Sequence, residues 1–297
     1  MTRERMHVDQ VNVDEHVVRA LLRDQFPHWA DLPLKPVSSY GTEHSIFRIG
    51  HGLAGRFPLL PDAGSATAVE ARWLPGLAPL LPCRVPVVVA HGRPALSYPF
   101  TWTISEWLDG EDGSTATYDE MRLARDLADF LTALERADAT GAPSALPGQR
   151  GAPLAGVDAP VRRAIEQLGD RIDAAAVTRS WEQSLDADEW RRPGVWTHGD
   201  PLPGNLIFQD GRLTAVIDFG GLKAGDPACD LQPAWNTFSG ASRRLFREAM
   251  GVDDATWLRG RGWTVYQTVT GLAYYWDTNP RMIRQVSHAL DQVLADS

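Results

Sequence analysis

The 297-residue sequence contains only two cysteines, Cys83 and Cys229. Two cysteines cannot build the disulfide framework of a small secreted domain, so we expect a reducing, cytoplasmic location. No apolar run approaches the roughly 20 residues of a membrane-spanning helix. Residues 1–5 also lack the apolar core of a signal peptide. These absences predict a protein that works without disulfides and without a membrane partner.

Positive charge is also scarce. The chain has 29 lysines and arginines against 38 aspartates and glutamates, which gives a net charge of −9. Nucleic-acid binding needs a basic surface, so we expect no nucleic-acid partner. The negative balance is compatible with a cationic ligand. Neither G-x-S-x-G nor H-E-x-x-H occurs, which leaves serine-hydrolase and zinc-hydrolase interpretations without support.

The strongest pattern is a pair of acidic motifs separated by a predicted hairpin. The segment WTHGDPLPGN carries Asp200 and Asn205, and the segment VIDFG carries Asp218. Between them, two short apolar runs flank Asp210-Gly211, a dipeptide typical of a two-residue hairpin turn. Folding this hairpin returns Asp218 to within a residue or two of Asn205. The sequence therefore predicts that the oxygen-bearing side chains of Asp200, Asn205 and Asp218 lie together at the open end of the hairpin.

Oxygen ligands of this type suit Mg²⁺, which keeps several waters and takes one or two protein carboxylates together with substrate phosphates. We predict Asn205 and Asp218 as the metal ligands. Asp200 is then free to accept or orient a hydroxyl proton, as the catalytic-loop aspartate does in phosphoryl transfer. An ordinary hairpin with a capping asparagine explains any one of these residues alone, but their combined spacing favours a kinase.

These motifs resemble the aminoglycoside phosphotransferase family, an antibiotic-directed bacterial branch of the protein-kinase-like fold. The similarity extends from about Pro36 to the C-terminal helices. The matching segments are HGD at 198–200, Asn205, IDFG at 217–220, GDPACDL at 225–231, EARWLP at 70–75, YP at 98–99 and EWLDGE at 106–111.

The resemblance implies a two-lobed α+β protein-kinase-like fold, with a small antiparallel-sheet lobe and a large, mainly helical lobe. We predict a nucleotide-binding lobe over residues 1–107 and a catalytic and acceptor-binding lobe over residues 108–297. Glu106, Trp107 and Leu108 form the predicted hinge, whose backbone groups would pair with the nucleotide base. We expect a single phosphotransferase unit that is a monomer or a weak dimer.

Arg56 is the clearest departure from the kinase pattern, in which a lysine on the third strand reaches the nucleotide phosphates and pairs with a helix glutamate. Counting back from Glu70, Arg56 is the only cation on that strand. Arginine suits phosphate oxygens but is longer than lysine and not equivalent to it. We predict that Arg56 takes the lysine's place beside Glu70. A solvent-facing arginine at a strand end is the alternative.

Two glycine-bearing loops precede the motifs. The segment GHGLAG at 50–55 matches G-x-G-x-x-G, but a dinucleotide site needs that pattern between a strand and a helix. We predict a turn between two strands there. The loop that should cover the phosphates is SSYGTEH at 38–44, which has the single Gly41 and offers only a poorly defined phosphate site.

Apolar spacing predicts the elements around the motifs. Helices are expected over 14–26, with Asp14 as the cap, and over 67–80, carrying Glu70. Strands are expected in 36–48 and at 53–57, 85–91 and 100–107. Thr117 begins a capping-box match ahead of a helix, and residues 142–153 predict a loop. Further helices are expected over about 159–190 and from 242 onward.

Several residues beside the motifs have predicted structural roles. In the family pattern His198 braces its loop. Asp226 is expected to hydrogen-bond the catalytic-loop backbone, and Asp230 to cap the helix that follows. Cys229, between them, predicts a buried small hydrophobe rather than a nucleophile.

The predicted reaction is Mg²⁺-dependent transfer of the terminal phosphoryl of ATP or GTP to a hydroxyl of a small molecule. The first expectation for this acceptor is an aminoglycoside-like antibiotic, whose ammonium groups would meet carboxylates. The candidate carboxylates are Asp109, Glu111, Asp112 and Asp277. Two alternatives stay open, a kinase of a metabolic amino alcohol or sugar and a nucleotide-binding protein without catalysis.

Overall fold

The computed structural model describes residues 11–37, 44–60, 63–277 and 280–296. In these ranges the α-helices are α1 (Glu15–Gln25), α2 (Ala63–Leu77), α3 (Glu120–Arg136), α4 (Asp158–Leu168), α5 (Ala174–Leu185), α6 (Pro233–Asn236), α7 (Gly240–Met250), α8 (Asp254–Tyr275) and α9 (Pro280–Ala295). The strands are β1 (Leu34–Val37), β2 (His44–Ile49), β3 (Leu53–Pro58), β4 (Val88–Gly92), β5 (Trp102–Glu106), β6 (Glu111–Asp112), β7 (Val195–Thr197), β8 (Leu206–Gln209), β9 (Arg212–Val216) and β10 (Lys223–Gly225). None of the helices within these ranges is long and apolar enough to cross a membrane.

The chain forms two compact units. Unit 1 comprises Met1–Pro79, Arg84–Gly110 and Ala215–Gly220, and unit 2 comprises Leu80–Cys83, Glu111–Thr214 and Gly221–Ser297. Unit 1 holds an antiparallel sheet, and unit 2 holds most of the helices, so the predicted α+β class is confirmed. The functional division after Trp107 stays a prediction.

Unit 1 is built on a five-stranded sheet in the order β1-β2-β3-β5-β4. All of its neighbouring strands are antiparallel, and β2 pairs with β3 from His44↔Pro58 to Ile49↔Leu53. The GHGLAG segment therefore forms the turn into β3 and much of that strand, as predicted. Phe57 stacks on Trp102 with ring centroids 5.0 Å apart, and both side chains are fully buried.

Two helices accompany this sheet. Asp14 caps α1, because its carboxylate accepts from the Val17 N–H at 2.9 Å, and the predicted cap is confirmed. Helix α2 begins at Ala63, four residues before its predicted start, and contains Pro75. It carries Glu70, whose side chain is only 3% exposed.

Unit 2 surrounds short strand pairs with helices. Strand β7 pairs with β10 in antiparallel register, which sets Thr197 opposite Lys223. The capping-box prediction at Thr117 is wrong. Asp119 is the N-cap of α3, and its carboxylate accepts from Met121 N–H at 2.9 Å. An aspartate directly before the helix caps it without the reciprocal glutamate contact that a capping box requires.

The predicted hairpin is present as β8 and β9, which are neighbours in a three-stranded sheet. Asp210 and Gly211 at its turn have φ values of 49° and 73°. Positive φ at both central residues is what a type I′ hairpin turn requires. Thr214 in the middle of β9 donates its hydroxyl to the Ile207 carbonyl at 3.2 Å.

Candidate active site

Unit 1 contains a buried ion cluster centred on Arg56 of β3. Its NH1 donates to Glu70 Oε2 at 2.5 Å, and its NH2 donates to Asp218 Oδ1 at 2.9 Å. The Arg56 side chain is 13% exposed, which rules out the solvent-facing alternative. The predicted pairing of Arg56 with the helix glutamate is therefore present, and the cluster also contains the predicted metal ligand Asp218.

The electrostatics of this cluster keep Arg56 charged. Burial alone would lower the pKa of its guanidinium, but Glu70 and Asp218 outweigh that effect and raise the pKa above its usual value. One cation faces two carboxylates, so the cluster carries a formal charge of about −1 when all three groups are ionised. That imbalance favours the approach of a further cation.

Asp218 has an unusual backbone. Its φ is 64°, and among the described residues only Leu96 and Asp210 share a positive φ without being glycine. Such conformations cost energy and concentrate at functional sites. The Asp218 side chain is 45% exposed although it is bonded to the buried Arg56. Its position makes it the accessible carboxylate of the cluster.

The predicted hinge lies at the end of β5. The N–H groups of Glu106 and Trp107 donate to the carbonyls of Val87 at 3.3 Å and Gly52 at 2.8 Å. Two of the three hinge N–H groups are thus used by other backbone carbonyls, and the pairing of the hinge backbone with a base stays a prediction. The Trp107 ring lies 4.6 Å below the Arg48 guanidinium. The Arg48 guanidinium therefore covers one face of the Trp107 indole.

The HGD loop of unit 2 is anchored by Asp230. Its carboxylate accepts from the backbone N–H groups of His198 at 2.8 Å and Gly199 at 2.6 Å. The prediction that Asp226 bonds this loop and that Asp230 caps the following helix is therefore wrong. Burial raises the pKa of the Asp230 carboxyl, while His198 and the two backbone donors oppose the rise.

Asp226 is the helix cap instead. Its carboxylate accepts from Ala228 N–H at 3.0 Å at the start of the 3₁₀ helix Pro227–Leu231, and it pairs with Arg259 at 2.6 and 3.1 Å. An aspartate directly before a proline matches the N-cap and first positions of a helix. The Asp-Pro dipeptide was the signal that could have assigned both roles correctly.

His198 and Cys229 have the expected structural roles. His198 is fully buried, and its Nδ1 accepts the Asp200 backbone N–H at 3.1 Å. The ring therefore braces the loop, as predicted. Cys229 is also fully buried. Burial is the main cause that raises the pKa of its thiol, and a raised pKa disfavours a nucleophilic thiolate.

Three side chains hold the carboxylate of Asp200. Arg150 NH1 lies 2.9 Å from Oδ1, and Gln267 Nε2 donates to the same oxygen at 3.1 Å. Asn205 Nδ2 donates to Oδ2 at 3.2 Å and to the Asp200 carbonyl at 2.9 Å. Because its amide nitrogen is used in this way, the amide oxygen of Asn205 is the end available to a metal. Asn205 lies in unit 2 and Asp218 in unit 1, so their shared metal site stays a prediction.

Arg150 and Gln267 were missed by the sequence analysis. Arg150 lies in the 142–153 loop and Gln267 in α8, so they stand 50 residues before and 67 residues after Asp200. No motif links them to the HGD loop. Within the described ranges, no cluster of three or more His, Cys, Asp or Glu side chains could hold a metal.

Two of the four carboxylates proposed for a cationic acceptor have local partners. Asp109 pairs with Arg48 at 3.0 Å and accepts from the Trp107 indole at 2.8 Å. Asp112 accepts from the Ser114 N–H at 2.9 Å and from the Ser114 hydroxyl. Glu111 and Asp277 are exposed. Of the predicted phosphate loop at 38–44, residues 38–43 lie outside the described residues, and His44 is the first residue of β2.

Comparison with known proteins places this geometry in context. A model described as the phosphotransferase enzyme family matches residues 41–263. The GDP and kanamycin complex of APH(2'')-IIIa is similar, with a TM-score of 0.73, 19% identity and coverage of 95% of this chain and 98% of that one. The macrolide 2'-phosphotransferase MphH from Brachybacterium faecium has a TM-score of 0.60, 25% identity and coverage of 92% and 98%.

A third similar structure is the streptomycin–ATP ternary complex of APH(2'')-IIa. Its TM-score is 0.57 at 18% identity, with coverage of 95% of this chain and 97% of that one. No curated protein sequence matches the chain closely enough to count as a relative. The structural likenesses confirm the predicted two-lobed, protein-kinase-like α+β fold.

Proposed function

Because the chain belongs to the phosphotransferase enzyme family, we propose that it transfers the terminal phosphoryl group of ATP or GTP to a hydroxyl of a small antibiotic. The observation that carries this proposal is the carboxylate of Asp200, held by Arg150, Gln267 and Asn205 on a loop that Asp230 anchors. A carboxylate fixed in this way is suited to align a hydroxyl and take its proton.

Asp200 is the proposed catalytic residue. Its side chain is 30% exposed, so an acceptor hydroxyl can reach the carboxylate although one ion pair and two side-chain donors hold it. As the acceptor oxygen bonds to the terminal phosphorus, the bond to the bridging oxygen of the nucleotide breaks, and the hydroxyl proton passes to Asp200. The nucleoside diphosphate leaves with the electron pair of the broken phosphorus–oxygen bond.

Arg56 and the hinge are the proposed nucleotide-binding residues. Each terminal nitrogen of a guanidinium carries two hydrogens, so NH1 and NH2 of Arg56 can each meet a phosphate oxygen while bonded to Glu70 and Asp218. The Glu106 and Trp107 N–H groups are used within the sheet. Among the three hinge N–H groups we therefore assign the donor contact with the base to that of Leu108, while the hinge carbonyls stay proposed acceptors.

Asn205 and Asp218 are the proposed ligands of Mg²⁺. An amide oxygen and a carboxylate match the few oxygen ligands that Mg²⁺ takes from proteins. The formal excess of negative charge around Arg56 adds to this fit, because Asp218 is the exposed member of that cluster. When bound, the ion would neutralise charge on the phosphate oxygens.

Two classes of antibiotic are proposed as the acceptor, an aminoglycoside first and a macrolide second. Net charge and the exposed carboxylates Glu111 and Asp277 favour a cationic aminoglycoside. The 25% identity to a macrolide 2'-phosphotransferase favours a macrolide, as does the local use of Asp109 and Asp112. A metabolic amino alcohol or sugar is the remaining acceptor class.

A phosphotransfer panel tests the proposal. Aminoglycosides, macrolides, amino alcohols and sugars are each offered with ATP and with GTP, in the presence of Mg²⁺ or of a chelator. We expect turnover with one antibiotic class, lost on chelation and absent in Asp200→Asn. Failure of the wild-type protein to phosphorylate any acceptor with either nucleotide would contradict the proposal.

A further inference from the structure

We propose that Arg150 is a positioning residue for Asp200. Together with Gln267 it occupies Oδ1 of the carboxylate, so that Oδ2 becomes the oxygen that meets the acceptor hydroxyl. This inference rests on the proposed phosphotransfer function. It concerns how the carboxylate is aimed, which the acceptor's identity does not change.

The two carboxylate oxygens of Asp200 differ in the number of nitrogen atoms close to them. A carboxylate oxygen has two lone pairs in the plane of the group. Oδ1 of Asp200 accepts one hydrogen bond, from Gln267 Nε2 at 3.1 Å, and forms an ion pair with Arg150 NH1 at 2.9 Å, so two nitrogen atoms crowd this oxygen. Oδ2 receives Asn205 Nδ2 at 3.2 Å, which leaves one lone pair for a further donor. An incoming hydroxyl is therefore directed to Oδ2.

The loop that carries Arg150 is tied down on both sides of this residue. Gln149 Oε1 accepts from Lys223 Nζ at 3.1 Å and from the Leu146 N–H at 3.2 Å. The Gly151 carbonyl accepts from the Asp226 N–H at 2.8 Å. The contacts of Gln149 with Lys223 and of Gly151 with Asp226 both connect the loop to residues 223–226, which follow the DFG segment at 218–220. Arg150 therefore extends from a loop whose backbone is already placed.

The backbone around Gly151 lies very close to the backbone around Gly225, which restricts the position of the loop that carries Arg150. Gly151 has a φ of 85°, a conformation that side chains rarely adopt. A Cβ on Gly225 would stand 2.5 Å from the Gly151 carbonyl oxygen, so the two segments pack backbone against backbone. A substitution at Gly151 should therefore shift Arg150 without removing its charge.

The ion pair serves orientation more than stability. The Arg150 and Asp200 side chains are 31% and 30% exposed, and partly exposed pairs contribute little to folding because water screens them. The attraction of Arg150 for Oδ1 at 2.9 Å still favours one direction of the carboxylate. Variants at Arg150 should therefore fold, which makes the inference testable by kinetics.

The experiment compares Arg150→Ala, Arg150→Lys, Gln267→Leu and Gly151→Ala with wild type, using the best acceptor from the panel. Arg162→Ala is the matched control, since Arg162 forms an exposed pair with Asp158 at 2.9 Å on α4. We expect kcat of Arg150→Ala to fall about 100-fold, the size of effect that misplacing a reacting group produces. KM for the nucleotide should stay near the wild-type value, and the control should match wild type.

Chemical rescue separates positioning from general damage. Guanidinium chloride at non-denaturing concentration should restore part of the kcat of Arg150→Ala, whereas urea, the neutral analogue, should not. Arg150→Lys should retain more activity than Arg150→Ala. Gly151→Ala should lose activity although this variant keeps Arg150 and its charge.

Two results would overturn the inference. One is an Arg150→Ala enzyme that keeps wild-type kcat. The other is a loss of kcat that neither guanidinium nor Arg150→Lys relieves. Absence of turnover in the wild-type enzyme is a different outcome, because it removes the proposed function on which the inference rests.

Discussion

The carboxylate of Asp230 lies 2.6 Å from the backbone nitrogen of Gly199, and both residues are buried in unit 2. Asp200 follows Gly199 in the chain. This bond and the hydrogen bond from the Asp200 N–H to the His198 ring hold Asp200 in place. A buried carboxylate 30 residues further along the chain thus fixes the proposed catalytic loop. The first prediction follows from this bond.

Asp230→Asn should lower both stability and turnover. An amide has one acceptor oxygen, so one of the N–H groups of His198 and Gly199 loses its partner in a buried place. An unsatisfied buried donor costs about 1–3 kcal/mol of unfolding free energy. Urea unfolding and kcat measure the two effects, with Asp138→Asn as an exposed control. Wild-type values for both would contradict the anchoring role.

Glu135 should make stability depend on pH. Burial, together with the nearby charge of Asp230, raises the pKa of its carboxyl from 4.5 to about 7. Because the folded pKa is the higher one, the folded state binds the proton more tightly. This contribution is fully present below pH 4.5 and is lost as pH rises to about 7.

Glu135→Gln removes this titration. The variant should be more stable than wild type at pH 8, by at most about 3 kcal/mol, and the difference should shrink towards pH 4.5. Urea unfolding of both proteins at several pH values isolates the effect, because every other titrating group is common to them. A difference that does not change with pH would show that Glu135 has an ordinary pKa.

Arg56 should be hard to replace singly. Arg56→Met leaves the Glu70 carboxylate buried without its cation, and breaking such a pair costs about 3–5 kcal/mol. Adding Glu70→Gln should recover part of that loss, because the double variant has no uncompensated charge. A double-mutant cycle by chemical unfolding measures the coupling. Additive effects would contradict the pairing seen at 2.5 Å.

The proposed metal ligands differ in charge. Asn205→Ala and Asp218→Ala should each weaken Mg²⁺–nucleotide binding, with the larger effect at Asp218 because it removes a formal charge. Isothermal titration with and without Mg²⁺ gives both affinities. Wild-type nucleotide binding that is the same with and without the metal would refute the ligand assignment.

Local patterns predicted local structure well. The Asp-Gly hairpin, the Asp14 cap and the pairing of Arg56 with Glu70 each depend on short-range signals or on one recognisable motif. The exchange of roles between Asp226 and Asp230 shows the limit, because only the Asp-Pro cap signature separates two aspartates four residues apart.

Long-range partners could not be predicted. Arg150 lies on an irregular loop and Gln267 on a helix whose sequence carries no chemical motif, yet both contact one oxygen of Asp200, through an ion pair and a hydrogen bond. Which side chain reaches that oxygen depends on how loop and helix pack in unit 2. Apolar periodicity and turn residues identify the elements but do not specify this packing.

The most direct test of the account is Asp200→Ala. Removing the carboxylate should leave folding and Mg²⁺–nucleotide binding nearly unchanged, because the group acts on the acceptor proton in the transition state. Phosphotransfer to the best acceptor should fall by about 10²- to 10⁴-fold, the range for a general base. Loss of turnover with retained nucleotide affinity is the predicted result, and near-normal turnover in this variant would contradict the assignment of Asp200.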